Sequence, residues 1–171
     1  MNRRFALVAI AALVAISGSV AVAIADDDDD EGFSARLRGF SEVPAVSTVA
    51  SGRFQAEINE GAGVISFSLQ YSGLEGTVSA AHIHLGQKGV AGAVIAFLCG
   101  GGGKPACPQT ATTPVTGTIT AANIGAGAEA QGITTGEFAE TVRAINAGVV
   151  YANVHSSKFP GGEIRGQVDD D

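Results

Sequence analysis

The residues best suited to chemistry are three histidines, the only ones in the chain. His82 and His84 stand one residue apart in "AAHIHLG", and His155 follows much later in "YANVHSSKFPGGEIRGQ". On a strand, residues two apart face the same side, with Cα atoms roughly 6.6–7 Å apart. Imidazole nitrogens that share one ion at about 2.0–2.1 Å need to lie only a little over 3 Å from each other. Histidine side chains can lean that far, so His-x-His on a strand is a two-ligand platform, and His155 is the candidate third ligand. Copper and zinc both accept imidazole, with copper slightly ahead in this reading. Glu163 or Asn153 is the candidate to orient an imidazole from outside the ligand set, and Arg165 and Glu42 are counted with them as groups that support the site.

The same residues allow a purely structural account. Histidines beside Asn153, Glu163 and Arg165 can form a buried hydrogen-bond network that pins the loop "SSKFPGG" to the sheet. The two accounts differ in a geometric way. A metal site brings the three ring nitrogens towards one point, whereas a network turns the rings apart and gives both nitrogens of each a protein partner. Spacing alone leaves both open.

Other chemistries find little footing. No G-x-S-x-G elbow is present for a serine nucleophile. Glu42, Glu57, Glu60, Glu75 and Glu163 offer carboxylates, but nothing singles out a glycosidase pair. The absence of tryptophan and the presence of only two tyrosines argue against a carbohydrate-stacking cleft. The run "GGGGKPA" is no phosphate loop, because the first glycine of that motif would fall on Leu98 and Lys104 is followed by Pro105. No catalytic residue is assigned. The expectation is a non-enzymatic protein, and redox chemistry at a three-histidine copper site is the single enzyme reading that survives.

The elements that must position the histidines are short alternating strands. Phe33, Ala35 and Leu37 share a face, as do Phe54, Ala56 and Ile58, and Ile65, Phe67, Leu69 and Tyr71. "TVSAAHIHL", "AVIAFL", "VTGTITA", "VVYANVH" and "GEIRGQV" continue the pattern, for eight strands separated by turn residues. An all-β antiparallel sandwich or flattened barrel follows. Ala81, Ile83 and Leu85 read as the core face of the first histidine strand, with His82 and His84 on the less apolar side or at a sheet end. Tyr151, Asn153 and His155 likewise share one face. If the two histidine strands pair, the three imidazoles meet. One segment departs from period two: "TGEFAETVRAINAG" carries Phe138, Val142 and Ile145 at helical spacing. Thr135 is its candidate N-cap and Gly148 its left-handed C-cap.

Residues 1–25 read as a signal peptide: Arg3 and Arg4, a small-and-apolar stretch from Phe5, then Ala23-Ile24-Ala25 before Asp26. Its removal takes away two of the ten basic residues and none of the 17 acids, so 8 − 17 leaves a net charge of −9. Such acidity argues against nucleic acid or an anionic membrane surface as partner. The expected partner is an extracytoplasmic protein or a metal ion, in the periplasm or outside the cell. Acidic tails are expected at 26–32 and 169–171. In an oxidising compartment the pair Cys99 and Cys107 reads as a disulfide closing a short loop.

Three stretches carry a family resemblance: "FSARLRGFSEVPAVSTVASGRF", "YSGLEGTVSAAHIHLGQKGVAGAVIAFL" and "YANVHSSKFPGGEIRGQV". Their motifs are Glu42-Val43-Pro44, Ala81-His82-Ile83-His84 with Gly86, Gly89 and Gly92, and Asn153-Val154-His155 followed by Pro160 and Gly162-Glu163-Ile164-Arg165-Gly166. Residues 33–168 resemble the CHRD domain, first named from chordin and common in bacterial secreted proteins. The resemblance implies an immunoglobulin-like β-sandwich with some likeness to copper/zinc superoxide dismutase, and a binding role in chordin, but no settled activity. Three histidines are too few for the bridged two-metal dismutase site, so that likeness extends to the fold alone.

Overall fold

A computed structural model describes residues 31–170. Residues 1–25, read above as a signal peptide, and the acidic residues 26–30 lie outside the described residues. The elements are β1 (Glu31–Arg38), β2 (Ser51–Asn59), β3 (Val64–Ser72), β4 (Val78–Leu85), β5 (Ala93–Cys99), β6 (Ala111–Ile119), α1 (Phe138–Asn146), β7 (Val150–Ser156), β8 (Ile164–Gln167) and β9 (Asp169–Asp170). All eight strands read from the alternation are present. Every pairing is antiparallel, in the order β5-β4-β7-β8-β1-β2-β3-β6, with β9 beside β1. Two acidic segments differ from the expected tails. Gly32 already lies in β1, and Asp169 and Asp170 pair with Ser34 and Phe33.

A single bridging pair, Arg38 with Arg165, joins β1 to β8 and divides the sheet into two four-stranded halves. Leu37, Phe54, Ile65 and Leu69 from one half and Ala81, Ile83, Val154 and Ile164 from the other belong to one apolar cluster. The halves therefore fold against each other as a sandwich that nearly closes into a barrel. In β2 and β3 every second residue is buried and the intervening ones reach solvent or its margin, so burial follows period two.

The helix forms where 3.6-residue spacing replaces alternation. Val142 and Ile145 are buried and Phe138 partly so. Gly148, at φ +65°, ends it in a Schellman arrangement, with Gly148 N–H donating to Ile145 O (2.8 Å) and Val149 N–H to Ala144 O (3.1 Å). The expected N-cap is displaced. Gly136 turns the chain at φ +84°, so the helix starts at Phe138 behind Glu137, and the Thr135 hydroxyl bonds Glu129 instead. The turn delivers the chain into β7, which carries Asn153 and His155. The Cys99–Cys107 disulfide is formed. Among the described residues no helix is long and apolar enough to cross a membrane.

Candidate metal centre

β4 and β7 are the central strands of their half and pair directly: His82 opposite Asn153, His84 opposite Tyr151, Ala80 opposite His155. Across β7, Asn153 faces Arg165 and Tyr151 faces Gln167 on β8. Period two then puts one polar set on a single face: His82, His84, Tyr151, Asn153, His155, Arg165 and Gln167. The opposite face, with Ala81, Ile83, Ala152 and Val154, is core.

The sequence reading placed the histidines on a less apolar side or at a sheet end. The structure corrects this, because β7 is buried on both faces and all three histidines are at most 8% exposed. The reason is tertiary. Three segments fold over the outer face, and two of them offer it backbone carbonyls. Gly92 O, from the turn after β4, lies 3.0 Å from His84 Nδ1. Pro160 O, from the loop after β7, lies 2.9 Å from His155 Nδ1. The segment after β1 brings in Glu42. On the β5 side, the Phe97 ring meets His82 edge-on with centroids 4.3 Å apart.

One nitrogen from each histidine lies within 4.8 Å of the others. His82 Nδ1 and His155 Nε2 are 3.0 Å apart, about the separation two imidazoles keep on a shared ion. A carbonyl only accepts, so Nδ1 of His84 and of His155 must carry the proton and Nε2 is left as a lone pair. This is the tautomer that a metal requires, held by the kind of outer hydrogen bond that ligating histidines make. His84 Nε2 and His82 Nε2 are buried with no hydrogen-bond partner. Both rings are also held neutral. Burial, reinforced by its two histidine neighbours, pushes His82 down to about 3. Burial takes His84 to about 4 against the Gly92 hydrogen bond, and His155 is lowered for the same first reason.

The remaining expected residues divide. Asn153 belongs to the cluster, with Oδ1 3.0 Å from His155 Nε2. Arg165 is 2% exposed, sits 3.4 Å over the Tyr151 ring and donates to Gln87 O at 3.1 Å. Tyr151 in turn stacks on His84 at 4.7 Å and 8°. Glu42 stands beside Arg165 and Asn153, and burial raises its carboxyl to about 7 against their opposing pull. The Asn153 amide is near enough to draw that pKa down, yet Glu42 Oε1 keeps no hydrogen-bond partner. Gly162, at φ +126°, leaves the room in which the two meet, since a Cβ there would overlap Glu42 Oε1. Glu163 is a correction. It orients no imidazole; its oxygens accept from Thr48 (2.9 Å), the Glu75 backbone (2.8 Å) and Ser156, tying three segments together.

Sequence reasoning missed Tyr151 as a site residue, although it shares the Asn153–His155 face, and it missed Phe97 and the two anchoring carbonyls. The glycine loop has a definite place. Gly101 and Gly102 lie so close to the Phe97 ring that side chains there would collide with it, so the disulfide loop backs the residue that backs His82. No local signal marks such contacts.

The ordered motifs now have one architecture behind them, and a CHRD domain family model matches residues 33–168. The chain belongs to the CHRD domain family. No curated protein and no solved structure matched it. All three histidines of this CHRD domain lie inside the matched region, as do Glu42, Asn153 and Arg165.

Proposed function

We propose that this CHRD domain is an exported, non-enzymatic module that binds one first-row metal ion, copper or zinc, through His82, His84 and His155. The observation that carries the reading is the convergence of three buried neutral imidazoles, two of them anchored through Nδ1 by backbone carbonyls. Burying a bare imidazole nitrogen without a partner, as at His84 Nε2, is costly, and a cation offsets that cost. Copper and zinc are among the ions whose chemistry suits an all-imidazole set. The Cys99–Cys107 disulfide supports an extracytoplasmic setting.

The structural reading has an observation of its own: His155 bonds the Pro160 carbonyl and His82, which pins the loop after β7. A competition titration of the metal-stripped protein with copper(II) and zinc(II), beside a His82/His84/His155 triple alanine variant, separates the two. One ion bound at submicromolar affinity, lost in a variant that stays folded, is the expected outcome. No tight binding, together with a variant that melts far lower, would make the histidines purely structural and move the search to protein partners.

A further inference from the structure

Three histidines leave a tetrahedral ion one position short. The candidate to fill it is Asn153, whose side chain meets the histidine cluster. It lies opposite His82 in the β4–β7 register, and its Oδ1 is 3.0 Å from His155 Nε2. Asn153 thus touches His155 and stands across the strand pair from His82, and it is 2% exposed.

The contact with His155 carries the argument. Pro160 O takes the Nδ1 proton of His155, which leaves Nε2 an acceptor. Asn153 Oδ1 is an acceptor as well. Two lone pairs therefore face each other at 3.0 Å in a buried setting, an arrangement that repels unless something positive lies between them. His82 Nδ1, also 3.0 Å from His155 Nε2, can bring at most one proton, and that proton serves the nitrogen. The Asn153 oxygen still meets no donor there. A metal cation at the focus of His155 Nε2, His82 Nδ1 and Asn153 Oδ1 removes the conflict. The amide nitrogen, turned to the Glu42 side at Gly162, holds the oxygen inward.

We propose that Asn153 Oδ1 is the fourth donor, making an N3O centre whose amide oxygen biases it towards zinc(II) and copper(II) over copper(I). The proposal rests on the metal-binding reading above. An oxygen donor is hard, and copper(I) prefers softer ligands, so the oxygen stabilises the divalent state selectively.

The test compares wild type with Asn153→Leu, which keeps the volume and removes the oxygen, and Asn153→Asp, which keeps the oxygen and removes the amide donor. Zinc(II), copper(II) and copper(I) affinities are measured by competition with chelators, and the melting temperature of each metal-free variant is recorded. Asn153→Leu is expected to weaken zinc(II) and copper(II) about tenfold or more, with copper(I) changed by less than about threefold. Each tenfold selective loss of copper(II) appears as a rise of about 59 mV in the one-electron potential. Asn153→Asp is expected to bind zinc(II) at least as tightly as wild type. If a folded Asn153→Leu binds zinc(II) like wild type, the fourth donor is overturned and the histidine site stands. If Asn153→Asp weakens binding, the amide is a hydrogen-bond donor to His155, and the proposal also falls. Should Asn153→Leu fail to fold, the Asn153→Asp comparison decides alone. Absence of any binding by wild type would overturn both readings.

Discussion

The two halves of the sandwich share an architecture and differ in what lies on their outer faces. Along β2 and β3 the outward residues Arg53, Gln55, Glu57, Ser66, Ser68 and Gln70 reach water or its margin. Along β4 and β7 the outward residues are His82, His84, Tyr151, Asn153 and His155, and all five are buried. The first half is one apolar layer with a wet back. The second has an apolar layer on one side and a polar, loop-covered layer on the other. A buried polar layer is expensive unless its groups are partnered. Here His82 Nε2, His84 Nε2 and Glu42 Oε1 are not. The half that departs from the simple pattern is therefore where a function should be sought.

The sharpest way to break this comparison is at adjacent positions of β4. Ile83→Ala empties a core site that is 1% exposed and should cost about 2–5 kcal/mol by chemical denaturation, with metal affinity almost unchanged in the folded fraction. His82→Ala should reverse the pattern, removing most of the metal affinity at a smaller cost in stability. Equal losses of affinity from both would mean that the polar layer is only an extension of the core.

Acid should reveal the second half next. Unfolded histidines titrate near 6.5, whereas folded His82 and His84 sit at about 3 and about 4. Below pH 6.5 the unfolded chain takes up protons that the folded chain refuses, so stability falls as pH falls. By pH 5 the loss from these two is about 2 kcal/mol each. Glu42 opposes it. Its folded value of about 7 lies above the unfolded 4.5, so the stability it contributes is full below 4.5 and is lost as pH rises through 7. It offsets about 2 kcal/mol over the same window, leaving a net loss on acidification. Urea denaturation at pH 7 and pH 5 should show that loss, and Glu42→Gln should deepen it. A flat profile would mean that the imidazoles are not held neutral.

The smallest effect belongs to the open back of the first half. Ser66→Ala, at an exposed outward position of β3, should change stability by no more than about 0.5 kcal/mol. A larger change would show that this face, too, is covered in solution.

Legibility followed the same division. The strands of the first half were readable because one face meets water and alternation survives. β7 was legible as a strand, and its two faces were sorted correctly, but its Asn153 face did not announce that it is buried. That burial depends on segments remote in sequence: the turn carrying Gly92, the loop carrying Pro160 and the region around Glu42. Glu163 shows the reverse error, since its neighbours in sequence suggested a role at the histidines and its actual partners are Thr48, Glu75 and Ser156.

The amino-acid sequence by itself determined the alternating strands, the helix and its glycine stop, the disulfide pair, the family and the three candidate ligands, because each rests on spacing along the chain or on residue type. Only the tertiary structure decided that the three imidazoles converge, which tautomers His84 and His155 hold, that Asn153 joins them and that Glu163 does not. Those outcomes come from β4–β7 register and from loop carbonyls that desolvate and anchor the rings, and such contacts are made between segments the chain order keeps far apart.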